Sequence, residues 1–193
     1  MFERDADLDE ALRALGTLLA DRGLEYSVLL VGGGTLMLLG LITRPTKDLD
    51  VVALYDGDYR SARPLPAPLV EAIEDTAQAL GLPVDWLNPG PASLMDFGLP
   101  EGIGERVEIR RYGTLEARLI GRRDQIALKL YATADYPPGS KHHADLQILE
   151  PTPEELLWAA RWVRTHDPSE PFLQDLKAVL TSFGVENVDE ADL

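Results

Sequence analysis

Asp48 and Asp50 stand two apart in Asp48-Leu-Asp-Val-Val-Ala-Leu54, a run that predicts a strand. Side chains alternate along a strand, so both carboxylates fall on one side of it. Two anions side by side on an otherwise apolar strand repel, and burial raises the cost. A divalent cation removes the conflict. Mg²⁺ favours oxygen ligands and lets substrate phosphates complete its shell. In two-metal phosphoryl transfer, one ion activates the attacking oxygen and the other stabilises the leaving group. Upstream, Gly32, Gly33 and Gly34 follow the apolar run Tyr26-Ser-Val-Leu-Leu-Val31. Glycines let a backbone approach a ligand closely, and amides at a helix start can hold phosphate oxygens. Each half has a plain structural reading: glycine turns between a strand and a helix are common, and an Asp-Leu-Asp at a strand mouth is often just solvated. Together they point to a metal-dependent phosphate site. A Rossmann dinucleotide site does not fit, because Met37 stands where the third glycine of Gly-x-Gly-x-x-Gly would fall.

The joint pattern resembles the DNA polymerase β-type nucleotidyltransferase superfamily, and within it the bacterial AbiEii-like minimal nucleotidyltransferases. Arg44, Thr46, Asp48 and Asp50 match Arg-x-Thr-x-Asp-hydrophobic-Asp in order and spacing. The likeness covers residues 26–54 clearly and extends more weakly towards 150. Many members carry a serine in the turn; here glycines stand there, and Thr35 is left to supply the hydroxyl. The resemblance implies an α/β nucleotidyltransferase fold, a mixed sheet flanked by helices with a helical C-terminal part. It implies nucleotide binding by Gly32, Gly33, Gly34, Thr35, Arg44 and Thr46. It implies Mg²⁺ or Mn²⁺ on Asp48, Asp50 and a third carboxylate, for which Asp85 is the candidate as metal ligand or general base. A strand-edge aspartate beside a turn is the plainer reading of Asp85. Lys129 and Asp145 would complete the catalytic set. For Lys129, set among Ile126, Leu128 and Leu130, two readings stand: it meets an anion such as the triphosphate, or its stem snorkels to solvent. For Asp145 the second reading is a favourable charge at a helix N-terminus.

The activity so implied is transfer of a nucleoside monophosphate from an NTP to an acceptor. The resemblance suggests tRNA or protein as that acceptor, in a toxin-type enzyme with a cognate antitoxin. The alternative is a nucleotidyltransferase fold kept as a catalytically inactive binding module. Intact Asp48 and Asp50 weigh against it.

Composition sets the surroundings. The chain has 193 residues, 45% of them hydrophobic, enough for a core. It has no cysteine, which excludes disulfides and thiolate metal sites. The net charge of -15 repels nucleic-acid backbones at long range. Against that stands a cluster of Arg106, Arg110, Arg111, Arg118, Arg122, Arg123 and Lys129, which is either a basic patch or a set of cations balancing nearby acids. His142 and His143 are adjacent, so they diverge and make a poor zinc pair. Trp158 and Trp162, four apart, suit helix packing. No signal peptide is visible, and the longest apolar stretch is broken by glycines, so the expectation is a cytoplasmic protein with no membrane partner.

The elements that must position these groups follow from periodicity. Helices are expected over 7–22, 35–42, 69–80, 124–134, 152–164 and 171–183. Strands are expected over 26–31, 48–54 and 83–87, with a hairpin around Tyr112-Gly113. Residues 56–68 read as a loop, and the acidic tail as frayed. The domain expectation is a nucleotidyltransferase domain over 1–150 with a helical extension over 151–193 packed on it.

Overall fold

Leu8, Leu12, Leu15 and Leu19 lie fully buried along one face of α1 (Asp5–Asp21), as their helical spacing requires. The computed structural model describes residues 1–136, 139–186 and 188. The expected frayed tail falls almost wholly outside these. After α1 come β1 (Tyr26–Val31), α2 (Gly32–Leu38), β2 (Leu49–Tyr55), β3 (Tyr59–Ser61), α3 (Ala67–Leu80), β4 (Leu87–Asn88), β5 (Glu108–Tyr112) and β6 (Leu115–Leu119). Then follow α4 (Arg122–Asp135), α5 (Lys141–Ile148), α6 (Pro153–His166) and α7 (Glu170–Ser182).

The chain is α/β, with one mixed, open sheet. Its strand order is β3-β2-β1-β6-β5, and β4 also pairs with β2. β1 runs antiparallel to β2 and parallel to β6. β4 lies parallel to β2 over two residues, Leu49 beside Leu87 and Asp50 beside Asn88. The contacts divide the chain into two compact units, Met1–Ile120 and Gly121–Leu193. The division therefore falls before α4 rather than near 150. The reason is that α4 packs against α5, α6 and α7 within the second unit.

Three elements depart from expectation. α2 begins on the glycines themselves and stops at Leu38, because Gly40 adopts the left-handed conformation (φ 70°) that closes a helix. The Gly40 and Leu41 amides donate to the Met37 and Leu36 carbonyls, the pairing of a Schellman ending. The supposed strand 83–87 is mostly turn: the Trp86 amide donates to the Pro83 carbonyl at 3.1 Å. The buried Trp86 indole donates to the Ile73 carbonyl at 3.1 Å, pinning that turn to α3. The supposed loop 56–68 contains β3, which extends the sheet antiparallel to β2. Elsewhere expectation holds closely. At the start of α6 the Glu155 amide donates to Thr152 Oγ1 at 3.2 Å, and the Thr152 amide donates to Glu155 Oε2 at 2.9 Å.

Candidate metal and nucleotide site

β1 delivers the chain into the glycines, and β2 delivers the two aspartates beside them. The register pairs Val31 with Asp50, so the end of one strand lies against the start of the other. Asp48 and Asp50 are both half-buried, with the buried Leu49 between them on the opposite side. The expected alternation is present, although Asp48 itself just precedes the strand.

The three glycines do three different things. Gly32 has φ 78°, and a Cβ there would lie 2.5 Å from Asp50 Oδ2. A side chain would fill the space that the carboxylate occupies. Gly33 faces Arg44 and Thr46: a Cβ would lie 3.0 Å from Arg44 Nη2 and 3.5 Å from Thr46 Oγ1. Gly34 is buried, and its Cβ would meet Leu49 Cδ2 at 2.6 Å and the Asp48 carbonyl at 2.7 Å. Its bare Cα lets α2 pack on β2, and its amide stays in the first turn of α2. Thr35 leaves the expected set. It is fully buried, and its hydroxyl donates to the Val31 carbonyl at 2.9 Å within the helix. Thr46 is buried as well and braces the approach to β2. Its backbone pairs with Phe2, and its hydroxyl donates to the Asp48 carbonyl at 3.3 Å.

Asp85 sits exposed in the turn before β4, its carbonyl accepting from Asn88 Nδ2 at 3.2 Å. Among the described residues no group of three His, Asp or Glu side chains is placed to hold a metal ion. The expected triad of Asp48, Asp50 and Asp85 is therefore not assembled. On the side of β2 away from β1, Asn88 stands in register with Asp50. Sequence reasoning missed it because only the parallel pairing of a two-residue strand reveals it. Asn88 Oδ1 accepts from the Gly90 amide at 2.8 Å. A Cβ on Gly90 would lie 2.8 Å from Asn88 Oδ1 and 3.8 Å from Asp50 Oδ1, so both oxygens border one spot.

In the second unit, Lys129 and Asp145 prove to be partners. Lys129 Nζ lies 2.7 Å from Asp145 Oδ2, and the two side chains are 5% and 0% exposed. The lysine does not snorkel to solvent; it meets an anion, and that anion is Asp145. Asp145 lies in the middle of α5 rather than at its N-terminus, where Ser140 forms the cap.

The basic cluster is spent on local partners. Arg110 pairs with Glu108, and Arg111 and Arg118 pair with Glu116. Arg118 also stacks 3.6 Å above the Tyr55 ring. Arg122 pairs with Glu155, and Arg123 stacks 4.2 Å from Trp158. Burial acts to raise the Glu116 carboxyl pKa, but Ser27, Arg118 and Arg111 together hold it below the ordinary glutamate value. The hydrogen bond from Arg122 is the main cause of a lowered pKa at Glu155. Burial, reinforced by the Asp9 carboxylate, pushes the Tyr112 hydroxyl up to about 12. These arginines balance acids and rings of the fold, which is the plainer of the two readings given for them.

No helix among the described residues is long and apolar enough to cross a membrane. The chain matches no protein-family model, no curated protein and no solved structure.

Proposed function

We propose that this protein is a divalent-metal-dependent nucleotidyltransferase of the DNA polymerase β type, moving a nucleoside monophosphate from an NTP to an acceptor. The observation that carries this reading is the meeting of Gly32 with Asp50. The bare backbone just after β1 lies against a carboxylate at the start of β2, an approach that a Cβ would block. The donor set suits the ion: two half-buried carboxylates at a strand start. Asp48 and Asp50 would hold Mg²⁺ or Mn²⁺, which when bound neutralises charge on the triphosphate and on the departing pyrophosphate. At Gly33 the Arg44 guanidinium takes the space where a Cβ would stand, and its charge would counter that of a phosphate bound there. An acceptor oxygen forms a bond to the α-phosphorus as the bond to pyrophosphate breaks, and the acceptor's proton passes to solvent.

The resemblance to AbiEii-like enzymes supports tRNA or protein as acceptor and a cognate antitoxin as partner, while the net charge of -15 counts against a large RNA. The decisive experiment is incubation with each radiolabelled NTP and total cellular RNA or protein, with Mg²⁺. Label on a macromolecule, absent from Asp50→Asn, supports the reading. A second reading, a fold kept for binding alone, draws on Asn88 standing beside Asp50. It expects NTP binding with no transfer to any acceptor.

A further inference from the structure

Two divalent ions held a few ångströms apart repel strongly, and carboxylates shared between them offset that repulsion. Asp48 and Asp50 supply two. The position beside Asp50, where a third would stand on the neighbouring strand, holds the uncharged Asn88. The oxygen of its amide already accepts from the Gly90 amide, and its nitrogen donates to the Asp85 carbonyl. Among the described residues no third acidic or histidine side chain joins the pair. We infer that this centre takes one divalent cation, carried in with the triphosphate, and that Asn88 sets that number. The inference rests on the nucleotide-site reading above and adds the stoichiometry of the metal. One ion held by Asp48 and Asp50 would supply charge for the leaving pyrophosphate and would leave the acceptor without a metal of its own.

Counting bound Mn²⁺ by electron paramagnetic resonance tests this. The full chain is saturated in turn with the α,β-methylene analogues of ATP, GTP, CTP and UTP, and bound Mn²⁺ is counted per bound nucleotide. One ion is expected for the native protein. Asn88→Asp keeps an oxygen acceptor for the Gly90 amide but gives up the donor to the Asp85 carbonyl, and it should bind two. Asn88→Ser should stay at one, which separates the effect of the carboxylate from that of altering the position. Thermal melting of each variant confirms that it is folded. Two ions in the native protein, or one in folded Asn88→Asp, would overturn the inference and leave the nucleotide site standing. No nucleotide-dependent Mn²⁺ binding by the native protein would overturn the site itself, and the inference with it.

Discussion

Gly32 and Asp50 approach so closely that a Cβ on the glycine would lie 2.5 Å from the carboxylate oxygen. Gly32→Ala must move that carboxylate and also hold alanine at φ 78°. The strain alone is about 1–3 kcal/mol. The variant should lose that much stability to urea, and its Mn²⁺ affinity in calorimetric titration should fall by about tenfold or more, equivalent to ~1.4 kcal/mol. Native Mn²⁺ affinity would show that the contact serves packing only.

Gly34 provides the contrast. A Cβ there meets Leu49 and the Asp48 backbone, and backbone yields less readily than a flexible side chain. Gly34→Ala should therefore destabilise by about 1–3 kcal/mol through overpacking between α2 and β2. Unlike Gly33→Val, which displaces Arg44, it acts on nucleotide affinity only by shifting β2. If Gly34→Ala is as stable as the native chain in urea, the close packing of α2 on β2 is wrong.

Asp50→Asn should abolish nucleotidyl transfer while leaving the melting temperature nearly unchanged. The amide matches the carboxylate in size and carries no charge for a metal to meet. Transfer at the native rate would remove Asp50 from the site.

Lys129 and Asp145 carry a different expectation. Lys129→Ala leaves the fully buried Asp145 without its ammonium partner, and breaking such a pair costs about 3–5 kcal/mol. The double change Lys129→Met with Asp145→Leu removes both charges and should cost less than Lys129→Ala alone. Urea denaturation of the three variants decides it. An unchanged midpoint for Lys129→Ala would refute the buried pair.

Glu155 predicts an acid response in the helical unit. Its pKa lies below the ordinary 4.5 because Arg122 and the Thr152 amide favour the carboxylate. A carboxyl with a depressed folded-state pKa stabilises the fold above the unfolded-state value, and this is lost as pH falls through the folded one. Between about pH 6 and pH 3 the melting temperature of Glu155→Gln should therefore fall less than that of the native chain. Equal falls would assign the acid sensitivity to other groups.

What the sequence shows well are features decided by neighbours along the chain. The leucine spacing of α1, the Thr152–Glu155 box and the hairpin at Tyr112-Gly113 all rest on contacts within a few residues. The candidate site is legible only as far as such local pattern reaches. Asp48 and Asp50 alternate as the strand period demands. The distinction between Gly32, Gly33 and Gly34 depends on what β2 and Arg44 place opposite each of them. The local company of Asp85 suggests a strand, whereas Trp86 anchors that segment to α3 as a turn. Lys129 was conspicuous as a cation among apolar residues, but its partner lies a helix away.

Where α1 crosses the β5–β6 hairpin, backbone meets backbone. A Cβ on Gly16 would lie within bonding distance of the Tyr112 carbonyl, and one on Gly113 would lie 2.7 Å from the Gly16 carbonyl. The Tyr112 hydroxyl donates to Asp9 across 103 positions of sequence. β1 likewise gains its parallel neighbour only from β6. During synthesis the first helix and first strand therefore leave the ribosome long before their docking surface exists. Loop closure of this length slows folding and leaves apolar surface exposed while it waits. Chains released before Leu119 would keep β1 as an open edge, and so the last strands of this unit act as its latch.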